Sequence, residues 1–263
     1  MPVINIDNIE DPRLDVYRSL KLTNRTRREK LFVVEGATVT HRLLASDYSV
    51  QSLVVIESRL HEVVDAVHES IDLFVLSKAQ VSQLVGFKFH LGVLAAAQRR
   101  ATKSLAEVLP ETGSSLVLFG DHITDQQNVG MMIRVASAFG ADAVVFGPGS
   151  ADPFSRRVTR VSMGNGFFIP VVASVDAIES IRQLQNLKYA TAATVLEKTA
   201  VEISDHQFAD RTAIVVGNET HGISPDILEA CDQRLTISML NGTDSVNVAI
   251  ATGIFAHAYR SRK

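Results

Sequence analysis

The stretch Ile237–Gly253, ISMLNGTDSVNVAIATG, leaves a strand-like segment at Arg234 to Ile237, crosses a loop of small and polar residues, and enters a segment heavy in Val, Ala and Ile with Asn247 set among them. A polar amide inside an apolar helical start must find hydrogen-bond partners or cost stability, and capping the preceding loop supplies one. Two earlier stretches have the same form, Asp125–Arg134 (DQQNVGMMIR) and Gly217–Gly222 (GNETHG). The latter follows the apolar run Ala213 to Val216 and precedes Ser224-Pro225-Asp226, a helix start with Ser as N-cap, Pro in the first turn and an acid near the dipole. Glycines there let backbone approach a ligand closely, although Gly-x-Glu-x-x-Gly alone describes any strand-to-helix turn. In the former, Val129, Met132, Ile133 and Ala136 follow helical spacing and should face a core, which leaves Arg134 on another face. An arginine so placed either meets phosphate or forms a surface salt bridge.

Outward from these loops the chain reads as α/β. Strands are expected at Leu116–Phe119, Ala143–Phe146, Ile169–Val172, Ala190–Thr194, Ala213–Val216 and Arg234–Ile237, separated by helical segments. Such alternation implies a mostly parallel sheet with helices on both faces, and open parallel sheets bind ligands outside the carboxyl ends of their strands. All three loops follow strands. Before them, residues 31–98 alternate apolar runs (Leu31–Glu35, Leu53–Ile56, Leu73–Leu76, Gly92–Ala97) with helical stretches around Val39–Leu44 and Val63–Val67. This is a smaller α/β unit, and Gln98–Ser115 reads as a linker. The boundary falls near residue 105, giving domains 1–105 and 106–263.

The chain has 263 residues, 46% of them hydrophobic, enough for one large core or two modest ones. Its single cysteine, Cys231, cannot form an internal disulfide, and no secretory leader or membrane-spanning run is evident, so a cytoplasmic location and no membrane role are expected. The eight histidines show no metal-binding spacing. A net charge of -3 argues against a general polycation. Nucleic acid would need a local patch, and Arg18, Lys21, Arg25, Arg27, Arg28 and Lys30 against one acid, Glu29, supply a cluster that is otherwise a solvated face.

Taken together, Asn128-x-Gly130 with Arg134, the Gly217–Gly222 loop with Glu219, and Ser245-Val246-Asn247-Val248 resemble the three motifs of the SpoU/TrmH family of SPOUT RNA 2'-O-methyltransferases. The resemblance covers nearly the whole chain and is strongest from Asp121 onward. It implies a catalytic domain whose carboxy-terminal segment is threaded into a trefoil knot, which periodicity would never indicate, preceded by a small RNA-binding domain. It implies S-adenosylmethionine as methyl donor, held by Gly217, Ile237, Met239 and Val246. Arg134 becomes the residue most closely tied to catalysis, with Asn128, Glu219, Ser245 and Asn247 shaping the loops around it. Arg18, Arg25, Arg27 and Arg28 become RNA contacts, the protein a homodimer without a metal, and the substrate structured RNA, ribosomal in preference to transfer RNA because the layout has two domains.

Three departures stand out: Gln126 and Ser238 occupy places where the family usually has proline, and Ala249 follows Asn-Val where serine is common. Losing a proline costs roughly 0.4–1 kcal/mol through the unfolded chain, which points to weaker donor binding. In the first domain, Leu91 stands where many relatives have glutamine. Two other functions compete: an RNA-binding or ribosome-assembly protein that keeps the fold without activity, and a nucleotide-dependent dehydrogenase. The second has no support, because no Gly-x-Gly-x-x-Gly follows the first strand of the catalytic domain.

Overall fold

The computed structural model describes residues 3–18, 20, 29–197 and 199–262. Its contacts divide the chain into two compact units, 1–101 with 154–167, and 102–153 with 168–263.

In the first unit, β1 (Val3–Asn5), β2 (Leu31–Glu35), β3 (Val50–Ile56), β4 (Asp72–Leu76) and β5 (Val93–Gln98) form a five-stranded sheet among the described residues, in the order β1-β4-β3-β5-β2. β1, β3 and β4 are parallel, and β5 runs antiparallel to β2 and β3. Because strand side chains alternate between faces, the unit has two cores. Val33, Val54, Phe74 and Leu94 pack with Tyr17 and Leu84, whereas Phe32, Leu53, Val55 and Leu73 pack with Val39 and Leu43. Helices α1 (Ala37–Leu44) and α2 (Lys78–Val85) thus come from opposite faces.

Besides β1 and the 3-10 helix Pro12–Tyr17, which lie before the stretch read as α/β, two elements here differ from the sequence reading. Residues 63–67 do not form an α-helix; Glu57–Glu62 and Val64–Ala66 are 3-10 turns. Helix α2 was not anticipated, although Ser77 and Gln80 form a capping box at its start, which is a local signal.

The second unit is built on β6 (Ser115–Gly120), β7 (Ala143–Phe146), β8 (Val171–Ala173), β9 (Ala190–Thr194), β10 (Val201–Glu202), β11 (Arg211–Val216) and β12 (Gln233–Thr236). These make a seven-stranded sheet among the described residues, ordered β10-β12-β9-β11-β6-β7-β8 and parallel throughout. The expected strands are all present, shifted by at most two residues, and only the two-residue edge strand β10 is additional. The short helix α3 (Leu105–Val108) lies inside the stretch read as a linker, with Ser104 and Glu107 as its capping box. The remaining helices of this unit are α4 (Gln126–Ala138), α6 (Ala177–Asn186), α7 (Pro225–Ala230) and α8 (Val248–Arg260), whereas α5 (Arg156–Val161) belongs to the first unit.

Val117, Phe119, Val145, Ala193, Ala213 and Val215 point to one face, where they meet Leu105 of α3, Ile181 and Leu184 of α6 and Ile227 of α7. Helices α4 and α8 cover the opposite face over β6, β7 and β11 and pack against each other. Strands covered on both sides have little use for polar residues, and accordingly all six positions of β6 are buried. Since every strand runs the same way, the loops leaving β6, β11 and β12 for α4, α7 and α8 emerge at one edge of the sheet.

Candidate functional site

Asn247 caps α8: its Oδ1 accepts the Ala249 N–H at 2.9 Å. A backbone N–H can only donate, so the rest of the amide's orientation follows, and Nδ2 donates to Asn128 Oδ1 at 2.9 Å. Asn128 is buried on the first turn of α4, and with its oxygen so committed its Nδ2 donates to Glu219 Oε1 at 2.5 Å. One chain of hydrogen bonds therefore ties the helix start after β12 to the helix start after β6 and on to the loop after β11. Its polarity runs from the Ala249 N–H to the Glu219 carboxylate, which is the acceptor at its end. The amide at 247 both caps a helix and links two loops.

The loop after β11 is closed on itself. Asn218 and Gly222 exchange backbone hydrogen bonds at 2.9 Å in both directions, and Gly222 has φ of +72°. A Cβ on Gly217 would lie 2.2 Å from the Gly222 carbonyl carbon, so closure of this loop excludes any side chain at 217. The Asn218 side chain accepts from the Thr220 and His221 N–H groups and donates to the His122 carbonyl at 2.9 Å. Asp121, buried at the end of β6, receives the Ser224 N–H at 2.7 Å and the Ser224 hydroxyl at 2.6 Å. Ser224 does precede α7, with Pro225 at its first position, but its hydroxyl serves Asp121 instead of the helix.

The segment from Ile237 to Asn247 is tied down at its two ends. At the start, the Ser238 N–H donates to both carboxylate oxygens of Glu202 at 3.0 and 3.2 Å, and the Ser238 hydroxyl donates to the same carboxylate. At the far end stands the Asn247 cap. Between them, among the described residues, one backbone bond runs from the Thr243 N–H to the Leu240 carbonyl at 3.1 Å. Ile237, Met239 and Val246 are half-buried and Leu240 is 77% exposed. Apolar walls beside unspent backbone donors suit an adenosyl group, which needs a few directed hydrogen bonds in a largely apolar slot.

The family prolines are replaced at sites with different consequences. Gln126 is the first residue of α4, capped by Asp125, whose carboxylate accepts the Gln127 N–H at 2.8 Å. Proline at a first helical position offers only a fixed φ, so little is lost. Ser238 uses its N–H, which proline lacks.

Arg134 is exposed on α4, off the buried stripe of Val129, Met132, Ile133 and Ala136, and makes no hydrogen bond or ion pair with another described residue. Ser245 is also exposed and lies outside the hydrogen-bonded chain. In the first unit, the Arg18 guanidinium is committed to the Ile9 carbonyl at 2.8 Å and to Glu10 and Asp15 at 3.2 Å. Arg25, Arg27 and Arg28 lie outside the described residues. On α5, Arg156 pairs with buried Glu35 at 2.9 Å and Arg160 pairs with the same carboxylate, so both charges are already met. Asp121, Asn218 and Glu202 were not singled out from sequence; a carboxylate directly after a buried strand was the only signal, for Asp121. Among the described residues no group of three or more His, Cys, Asp or Glu side chains converges as a metal site would, and no helix is long and apolar enough to cross a membrane.

A parallel sheet with three hydrogen-bonded loops at the carboxyl ends of its strands is an α/β arrangement that places a ligand site at one edge of the sheet. The SpoU rRNA methylase family profile matches residues 115–257, and an uncharacterised tRNA/rRNA methyltransferase of Mycobacterium bovis is 33% identical over 97% of this chain and 90% of its own length. The chain belongs to the SpoU rRNA methylase family. A 23S rRNA (guanosine-2'-O-)-methyltransferase of Acinetobacter baylyi is 31% identical over 68% of this chain and 73% of its own. In structure, the SpoU methyltransferase AviRb of Streptomyces viridochromogenes, solved in complex with AdoMet, superposes with a TM-score of 0.84 at 21% identity, covering 97% of this chain and all of that one.

Proposed function

We propose that the protein transfers a methyl group from S-adenosylmethionine to a ribose 2'-hydroxyl of structured RNA, in 23S ribosomal RNA in preference to transfer RNA. The observation that carries this reading is the hydrogen-bonded chain from Asn247 through Asn128 to Glu219, which brings three sequence motifs into one site. When bound, the sulfonium donor supplies an activated methyl group, so the protein's share is largely to place the acceptor oxygen in line with it; orientation of this kind is worth on the order of 7–11 kcal/mol. Gly217, Ile237, Met239 and Val246 would hold the donor. The closed loop at Gly217–Gly222 and the two anchors of the 237–247 segment fix its walls before it arrives. Arg134, exposed and without a partner among the described residues, is free to engage the RNA phosphate beside the reacting hydroxyl with two parallel bonds. Its guanidinium would stabilise negative charge there.

Two further parts of the reading concern assembly. We place a self-association face on α8, where Ile250 and Ile254, one turn apart, are 57% and 38% exposed; a homodimer would cover this apolar pair. Threading of the carboxy-terminal segment into a knot belongs to the same reading.

The direct experiment is donor binding. S-adenosylmethionine or its demethylated product is expected to raise the thermal midpoint by several degrees, because a ligand at about 100 times its Kd stabilises the native state by about 2.7 kcal/mol. No heat in calorimetry and no thermal shift with either compound, with or without RNA, would leave the fold serving RNA binding alone. The RNA side has its own test. Replacing Arg25, Arg27 and Arg28 by alanine should weaken RNA binding and flatten the dependence of log K on log salt by about 2, at roughly 0.7 per lost phosphate contact, while donor binding persists. An unchanged salt slope would move RNA recognition elsewhere.

A further inference from the structure

We infer that Glu202 is a positioning residue for the methyl donor: through Ser238 it holds the 237–247 segment in the shape that receives the adenosyl group. This rests on the function proposed above, and goes beyond it by assigning the clamp to a residue outside all three motifs.

The geometry is specific. β10 consists of only two residues, and its register sets Val201 beside Leu235 and Glu202 beside Thr236 of β12. In a parallel pair the residue two positions further along points to the same face, so the Glu202 side chain is aimed along the strand at Ser238. There it accepts both the backbone N–H and the hydroxyl of that one residue. Ser238 stands between Ile237 and Met239, two of the residues proposed to hold the donor. Beyond it the segment has almost no internal bonding until Asn247. An eleven-residue loop held at its ends by one carboxylate and one amide has little else to resist fluctuation, and disorder removed on binding subtracts directly from affinity.

The clamp also accounts for serine at this position. A proline would fix φ near −65° covalently and have no N–H to give; serine leaves the backbone free and recruits a carboxylate instead. The two solutions are mutually exclusive at the N–H and equivalent in effect, which makes each a test of the other. The remaining machinery, Arg134 and the chain from Asn247 to Glu219, makes no use of Glu202, so the effect should fall on donor affinity and leave the chemical step alone.

The experiment compares the full-length protein with Glu202→Ala and with the double variant Glu202→Ala/Ser238→Pro. Glu202→Ala should raise the Kd for S-adenosylhomocysteine, measured by calorimetry, by about tenfold, as expected for losing charge-assisted hydrogen bonds, and raise KM for the donor with kcat unchanged. Ser238→Pro added to it should bring the Kd back to within about threefold of the parent, because proline restores the restraint through the backbone. In the donor-free protein, hydrogen exchange of the amides from Met239 to Val246 should accelerate in Glu202→Ala, with the thermal midpoint within a few degrees of the parent. An unchanged Kd together with unchanged exchange overturns the proposal, as does a double variant that binds no more tightly than Glu202→Ala. If the parent protein takes up neither S-adenosylmethionine nor its product, the reading of the pocket fails, and the exchange rates decide on the clamp alone.

Discussion

Arg134→Ala is expected to lower methyl transfer by at least about 10²–10³-fold, the usual consequence of removing one donor aimed at transition-state charge. Fold, donor affinity and oligomeric state should be unchanged. The expectation comes from two facts of α4: the residue lies off the buried stripe, and its guanidinium has no intramolecular employment among the described residues. An exposed arginine with no structural duty can be truncated at little cost in stability, so a loss of turnover reports function. Arg134→Lys should fail nearly as badly, since an ammonium cannot present two parallel donors to a phosphate. Single-turnover rates on the cognate RNA, with circular dichroism and donor calorimetry alongside, make the measurement; full activity in either variant removes Arg134 from the mechanism.

Asn128→Asp is the second variant with a large expected effect, and it changes one atom of the side-chain amide. The Asn247 amide can still donate to position 128, but the bond to Glu219 at 2.5 Å becomes a contact between two acids. At neutral pH this loses a hydrogen bond to a charged group, worth about 1.5–3 kcal/mol, and adds repulsion, so the three loops should separate and activity fall with stability. The pH dependence distinguishes this account from a general packing defect. Two carboxylates at this distance raise the folded-state pKa of the pair above the ordinary carboxylate value of about 4. Between the unfolded and the raised folded value the native state binds more protons than the unfolded chain, so stability rises as pH falls through that window. The deficit of the variant relative to the parent should thus be full at pH 7 and shrink toward pH 5. A deficit independent of pH in thermal unfolding would show that repulsion at Glu219 is not the cause.

Much of this site is legible in the sequence. The parallel sheet followed from apolar runs alternating with helical spacing, and six strands of the second unit appear where those runs lie, within two residues. Asn247 drew notice because an amide at the start of an apolar helix needs partners, and the cap to Ala249 is such a partner. Gly217 was marked as a close-approach glycine, and its missing side chain is what allows Asn218 and Gly222 to pair. Helical spacing alone put Arg134 on the exposed side of α4. These features are local: a strand period, a cap, a turn glycine and a helix face are each set by residues within a few positions of one another, and local steric and hydrogen-bonding rules act on them without reference to the rest of the chain.

What tertiary structure alone decided is where the polar ends of those local pieces meet. Asn128 finds Glu219 across 91 residues and Asn247 across 119, and nothing in either neighbourhood specifies which amide end faces which partner. The direction was fixed only when the cap committed one oxygen. Ser238 looked like a weakness from sequence, a lost proline with an entropic cost; in three dimensions its N–H and hydroxyl are held by Glu202, 36 residues away on an edge strand too short to announce itself. Arg156 and Arg160 are both spent on Glu35, more than 120 residues earlier in the chain. A side-chain hydrogen bond is decided by a few ångströms of separation, and separation between distant residues is a property of the assembled sheet, so the sequence fixes the inventory of donors and acceptors while the packing of strands and helices decides how they are paired.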